Sequence, residues 1–295
     1  MRSCWVAVSK SSEMTLTISN LILKYSKELE NISDSPRLDV EIMLSRVLNL
    51  SRFDLLMKAN DSTDIVDEKR FAELLKRRMN FEPVAYIINE KPFFEDVFYV
   101  DSRVLIPRPE TEFLVMEAIT HLKSYEKMPA VLDICCGSGC VGLSILRVID
   151  CDLSMSDISK DALDVTSVNV GKLFPQRDDI KLIQSDLFEN VNEKYDVITA
   201  NPPYLSKKDM AEFAKNDLRY EPENALSGGE SGFEFTEKLL NEAGEYLNHD
   251  GIIAVELGFE GSKFIKDVYG KIELHKIKKD YNGIDRVAVF SRCRR

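Results

Sequence analysis

The order of apolar and polar positions divides the chain into three textures. Up to about Asn80 the apolar residues recur every three or four positions, as in Val40, Met43, Leu44 and Val47, after a Pro36 that suits a first helical turn. Asp34 or Ser35 can cap that helix and Ser51 the next, which predicts a bundle of three to five short helices over roughly residues 15–80. From Pro83 to Pro109, Phe93, Phe94, Phe98, Tyr99, Val100, Val104, Leu105 and Ile106 lie between turn formers and predict a linking β-hairpin. Beyond it, apolar runs alternate with helical stretches: Ala130–Cys135, Leu153–Ser156, Ile180–Gln184, Tyr195–Ala200, Gly251–Leu257, Ile272–Ile277 and Arg286–Ser291. This alternation predicts an α/β fold, a mostly parallel sheet with helices on both faces. Only Lys278–Asp285 separates the last two runs, too little for a crossover helix, so that pair is expected to be antiparallel.

A chain of 295 residues exceeds the ~100–200 of one ordinary core, so two domains are expected. No apolar run nears the ~20 residues of a membrane span, and Met1–Lys10 lacks the apolar core and cleavage site of a signal peptide. The reading is a cytoplasmic protein without a membrane partner. The cysteines at 4, 135, 136, 140, 151 and 293 contain no Cys-x-x-Cys pair, and with three scattered histidines they give no zinc spacing. Reduced thiols and no metal are expected. A net charge of −11 argues against direct binding to nucleic acid, which relies on Lys and Arg displacing counterions. The basic residues Lys69–Arg70 and Lys76–Arg77–Arg78 are expected in water, opposite an apolar side of Phe71, Leu74, Leu75 and Met79.

The candidate chemistry lies at the ends of the apolar runs. Val131–Gly142 reads as a strand, a tight turn through Gly137 and Gly139, and a helix start whose free N–H groups can face a carboxylate or phosphate. Asp157, about 20 residues on, can accept both hydroxyls of a ribose, or either it or Ser159 can simply cap the helix Lys160–Val170. Ser185-Asp186-Leu187-Phe188 offers an acceptor for an adenine amine and an apolar neighbour for its ring. Asn201-Pro-Pro-Tyr204 follows the fourth run of the sheet directly. Its prolines stiffen the turn, so the Asn201 side-chain oxygen and the Pro202 carbonyl can both face one planar NH2 group, with the Tyr204 ring on its π-face.

Together, Asp133–Gly142, Asp157 and Asn201–Tyr204 resemble the Rossmann-like class I S-adenosylmethionine-dependent methyltransferases that modify an amino group on a planar system. The chain also carries Val104-Leu-Ile-Pro-Arg-Pro-Glu-Thr-Glu112, Glu221-Pro-Glu-Asn-Ala-Leu-Ser-Gly-Gly229, Glu256-Leu-Gly258 and Asp280-Tyr-Asn-Gly-Ile-Asp-Arg286. Those segments are similar to the PrmC/HemK family, the peptide chain release factor N5-glutamine methyltransferases, from about residue 15 to 291. The resemblance implies methylation of the glutamine in the Gly-Gly-Gln tripeptide of release factors, with S-adenosylhomocysteine as by-product and no metal. By position it places the cofactor loop on Cys135, Cys136, Gly137, Ser138 and Gly139, the ribose acid on Asp157 and the adenine-flanking pair on Asp186 and Leu187. The substrate turn falls on Asn201, Pro202, Pro203 and Tyr204, with Asn201 beside the cofactor as well and Asn201, Pro202 and Tyr204 at the reaction. The sequence departs from the family at Cys135 and Asn89, where glycines are usual, and at Glu260-Gly261, where a glutamine is usual.

The expected organisation is a dispensable, disordered extension over 1–13 before Met14, a helical substrate-recognition domain over 14–82, the linker hairpin over 83–109 and the methyltransferase domain over 110–295. Two other functions compete: an adenine-N6 methyltransferase, opposed by the acidic balance, and an inactive adaptor, opposed by the intact acid and Asn-Pro-Pro-Tyr positions.

Overall fold

The computed structural model describes residues 17–213 and 217–293, so the boundary expected at Met14 lies outside the described residues. They divide into two compact units, one ending at Ile88 and one beginning at Asn89.

The first unit holds five helices: α1 (Ile18–Glu28), α2 (Pro36–Leu48), α3 (Arg52–Met57), α4 (Ile65–Met79) and α5 (Val84–Ile88). Ser51 caps α3 in a capping box with Asp54, whereas Ser35 stands at the start of α2 without a side-chain cap bond. Leu21, Val40, Met43, Leu44, Leu55, Phe71 and Leu75 form the core. The expectation that all the basic residues of α4 face water is wrong at Arg78. This residue is only 4% exposed and pairs with Asp39 at 2.8 Å, while Arg77 pairs with Glu82 and Met79 is the exposed member of the supposed apolar side. Residues 71, 75 and 78 share one helical face, and a buried partner on α2 makes the charge tolerable there.

The expected hairpin over Pro83–Pro109 is also shorter than read. Pro83 opens α5 by accepting from the N–H groups of Tyr86 and Ile87, because a proline suits a helix start. Asn89, in the left-handed region at φ 56°, ends it and donates from Nδ2 to the Val100 carbonyl at 3.1 Å. The hairpin proper is β1 (Lys91–Phe93) against β2 (Asp96–Phe98).

The second unit continues through α6 (Glu112–Leu122), β3 (Ala130–Ile134), α7 (Cys140–Val148), β4 (Asp152–Asp157), α8 (Lys160–Leu173), β5 (Lys181–Gln184) and β6 (Tyr195–Ala200). It ends with α9 (Lys207–Phe213), α10 (Glu234–Ala243), β7 (Leu247–Glu256), β8 (Val268–Tyr269), β9 (Ile272–Lys279) and β10 (Asp285–Arg292). The sheet order is β5-β4-β3-β6-β7-β10-β9-β8. Strands β3 to β7 pair in parallel, while β10 is antiparallel to both β7 and β9, as the short final connection required. Neighbouring residues along each central strand face opposite cores: Val131, Val197, Ala254 and Val289 one way, Leu132, Ile198, Val255 and Phe290 the other. Helices α6, α7 and α8 cover the first face and α10 the second. The chain runs outward from β3 through β4 to β5 and then returns to β6 on the other side of β3. That reversal opens a crevice at the carboxyl ends of β3, β4 and β6.

Candidate active site

The turn after β3 brings backbone close to backbone. Gly139, the N-cap of α7, has φ 77°, and a Cβ there would lie 2.8 Å from the Thr166 methyl. Thr166 Oγ1 donates to the Gly137 carbonyl at 2.8 Å and Asn169 Nδ2 to the Ser138 carbonyl at 2.9 Å, so α8 holds the turn in place. Cys135 also takes a left-handed φ of 59°, a conformation that costs a residue with a Cβ about 1–2 kcal/mol. Burial pushes the Cys135 and Cys136 thiols well up and Cys140 to about 12, so they stay protonated and inert. Among the described residues no group of three or more His, Cys, Asp or Glu is placed to hold a metal ion. The three histidines, scattered in sequence, nonetheless line one surface cavity together.

Asp157 ends β4. Its Oδ2 accepts from the Gly137 N–H at 3.0 Å and its Oδ1 from the Ser159 N–H at 2.9 Å, while the Ser159 hydroxyl caps α8 by accepting from Ala162. Ser159 is therefore the cap, and Asp157 ties two loops together with lone pairs left over. Burial raises the Asp157 pKa and these N–H groups oppose that rise. Asp133 is committed inside the fold: it accepts from Thr199 Oγ1 at 2.8 Å and the Gly142 N–H at 3.1 Å, and burial pushes it up to about 7.

Two cavities meet over the crevice. The first is lined by Cys135, Cys136, Gly137, Ser138, Asp157 and Asn201 among others. The second, about 650 Å³, is lined by Asn201, Tyr204, Arg108, Glu256, Gly258 and Arg286 among others. Asn201 is on the wall of both. Of the sequence-predicted residues, Gly139, Asp186, Leu187 and Pro202 lie on neither: Leu187 is buried and Asp186 pairs with Lys238 at 3.5 Å. Pro203 faces the first cavity and Tyr204 the second.

The segments that carried the resemblance converge on the turn after β6. A Cβ on Gly258 would meet the Tyr204 ring at 2.8 Å, and one on Gly228 would meet the Pro203 carbonyl at 2.5 Å. Leu205 and Gly228 lock the two loops, each pairing a backbone N–H at 2.9 Å across them. Glu221 accepts from the Ile106 N–H at 3.2 Å and from Arg108, and Asp280 accepts from Arg286 at 2.9 Å. Asn201 Nδ2 donates to Thr111 Oγ1 at 3.3 Å, whereas Asn201 Oδ1 is buried with no hydrogen-bond partner. Glu256 Oε2 is in the same condition, and burial raises that carboxyl to about 7. The sequence reading gave Thr111 and Glu256 no role. A lone acid closing a buried strand was the available signal for Glu256, and nothing local links Thr111 to Asn201, 90 positions away.

A crevice at this switch point, with an acid on β4 and a proline-stiffened acceptor turn on β6, is that of a class I methyltransferase. The sequence matches the family described as PrmC N-terminal domain over residues 20–88 and that described as Methyltransferase small domain over 111–233. It is 36% identical over 278 residues to the release factor glutamine methyltransferase of Leptospira interrogans, covering 92% of this chain and 97% of that one. To the protein of the same name from Rhodopirellula baltica it is 37% identical, covering 86% and 89%, and to that from Buchnera aphidicola 31%, covering 93% and 98%. The chain belongs to the release factor glutamine methyltransferase family.

Proposed function

We propose that this protein transfers the methyl group of S-adenosylmethionine to the side-chain nitrogen of the glutamine in the Gly-Gly-Gln tripeptide of peptide chain release factors, leaving S-adenosylhomocysteine. The observation that carries the reading is Asn201 Oδ1, a buried acceptor without a donor, standing where two cavities meet. A buried amide oxygen left open costs about 1–3 kcal/mol, so a site that keeps one is built for a ligand N–H.

In this reading the Cys135–Gly139 turn and Asp157 hold the cofactor, Asp157 through lone pairs not spent on Gly137 and Ser159. The roles that the resemblance gives Gly139, Asp186, Leu187 and Pro202 draw no support from the cavity walls. Bound there, S-adenosylmethionine supplies an electrophilic methyl on a sulfonium. The residues supply the rest. An amide nitrogen is a poor nucleophile because its lone pair is delocalised. Asn201 Oδ1 and the Pro202 carbonyl accept its two N–H bonds and hold it for in-line attack, with the Tyr204 ring beside it. Burial lifts the Tyr204 phenol to about 12, so the ring stays neutral. As the N–C bond forms and the S–C bond breaks, positive charge grows on nitrogen and both acceptors bind it more tightly. The nitrogen then loses one proton to solvent.

The helical unit is assigned to the bulk of the release factor, because a tripeptide offers little of the ~1,200–2,000 Å² of a stable interface. No helix among the described residues is long and apolar enough to cross a membrane, and the proposed setting is the cytoplasm. Mass spectrometry of a purified release factor after incubation with this protein and S-adenosylmethionine tests the proposal. One methyl on the tripeptide glutamine is expected. Transfer to adenine in single-stranded DNA, with none to the release factor, would overturn it.

A further inference from the structure

Methyl transfer leaves the substrate nitrogen with a proton to lose, and most acids on the two cavity walls are already engaged. Asp133 accepts from Thr199 and Gly142, Asp157 from Gly137 and Ser159, and Asp209 from the Ser206 hydroxyl, while Glu260 pairs with Lys263. Glu256 is the exception. It is 2% exposed, its Oε2 has no hydrogen-bond partner, and it lines the cavity of about 650 Å³ together with Asn201 and Tyr204. The two arginines of that wall are spent elsewhere, Arg108 on Glu221 and Arg286 on Asp280.

The sheet register puts this oxygen beside the one that carries the proposed function. Ala200 and Val255 are partners in the parallel pair of β6 and β7, so Asn201 and Glu256 are the next residues along two adjacent chains. Each has a buried oxygen left open, and both residues line one cavity. Adjacent strands run ~4.8 Å apart, and two hydrogen bonds of ~2.9 Å diverging from one nitrogen span ~5 Å. A single substrate nitrogen can therefore serve both oxygens.

We propose that Glu256 is a catalytic residue, the base that takes the proton from the substrate nitrogen as the methyl group arrives. In the planar amide the Asn201 oxygen and the Pro202 carbonyl hold the two N–H groups. As the nitrogen lone pair forms the N–C bond and the S–C pair stays on sulfur, the nitrogen becomes tetrahedral and its N–H bonds leave the amide plane. One of them then meets Glu256 Oε2. Its proton passes to the carboxylate, the N–H pair returns to nitrogen as the amide lone pair, and the carboxyl so formed gives the proton on to solvent once product leaves. Burial raises this carboxyl to about 7, which suits a group that takes up a proton and releases it near neutrality. The inference rests on the reading that the substrate is a carboxamide.

The test compares the full-length wild type with Glu256→Gln and Glu256→Met in kcat and KM on a release factor, in S-adenosylmethionine affinity by calorimetry, and in melting temperature without ligands. The first substitution keeps the shape and an acceptor oxygen but cannot take a proton. Glu256→Gln should lower kcat by about 10²-fold, with KM and cofactor affinity within about twofold of wild type. Glu256→Met removes a buried open carboxylate that the free protein does not use. It should raise the melting temperature by about 2–5 °C while kcat falls as in Glu256→Gln. Wild-type kcat in Glu256→Gln, or a raised KM with kcat intact, would mean that Glu256 takes no proton, and a lower melting temperature in Glu256→Met would mean that the carboxylate serves the fold. Any of these overturns the inference while leaving the methyltransferase reading intact, whereas a wild type that methylates no release factor sinks both.

Discussion

The helical unit and the sheet unit treat buried polar groups in opposite ways. In the helical unit Asp39 is closed by Arg78, Glu41 by Arg37 and Arg52, and Thr63 donates to Glu68 at 2.9 Å. Ser45 Oγ is the single buried side-chain oxygen left open there among the described residues. In the sheet unit such pairs also exist, but they form a frame: Glu221 with Arg108, and Asp280 with Arg286. Inside that frame Asn201 Oδ1 and Glu256 Oε2 are left open, the Asp133 and Glu256 carboxyls are lifted to about 7, and Cys135 is held at a positive φ. Satisfied pairs mark where the protein stabilises itself. Neither an open oxygen nor a positive φ marks the site by itself, since Ser144, Ser154 and Ser156 hydroxyls are also open and Phe81 of the helical unit has φ 67°; what sets Asn201 apart is an open amide oxygen on a residue that lines both cavities.

The contrast predicts which substitutions damage folding and which damage chemistry. Arg78→Met strands a buried carboxylate and should destabilise the helical unit by about 3–5 kcal/mol. Hydrogen exchange at α2 and α4 should accelerate accordingly while β3, β6 and β7 exchange as before, and equal acceleration in both units would erase the distinction. Asp157→Ala should weaken S-adenosylmethionine by at least about tenfold, since each charge-assisted hydrogen bond is worth ~1.5–3 kcal/mol. Titration calorimetry reads this directly, and unchanged affinity would reduce Asp157 to a loop tie. The smallest effect is a gain. Cys135→Gly removes the cost of the left-handed backbone and, after the extra entropy of an unfolded glycine, should stabilise the sheet unit by about 0.5–1 kcal/mol in urea unfolding. A loss of stability there would show that the Cys135 side chain packs better than its backbone strains.

The parts of this arrangement that could be read in the sequence are those set by neighbours along the chain. The strand Tyr195–Ala200 announced itself by apolar residues running into two prolines, and the parallel sheet by regular alternation. The antiparallel finish followed from a connection too short to cross over. Arg78 was misjudged because its burial depends on Asp39, 39 positions earlier, and a helical wheel shows no long-range partner. The helix Val84–Ile88 was hidden because Tyr86, Ile87 and Ile88 have the composition of a strand, and Pro83 decided the matter by opening a helix. In the site, Asn201 and Asp157 were legible from spacing. Thr111 and Glu256 were not, since they meet Asn201 only after the sheet has brought β6, β7 and the start of α6 together.

The most direct test of the account is turnover of Asn201→Ala on a release factor, measured beside its melting temperature and its affinity for S-adenosylmethionine. If the open oxygen is an acceptor for the reacting amide, turnover falls by ~10²–10³ while the melting temperature holds and cofactor affinity drops much less. Undiminished turnover, or a loss of stability large enough to explain the loss of activity, would contradict it.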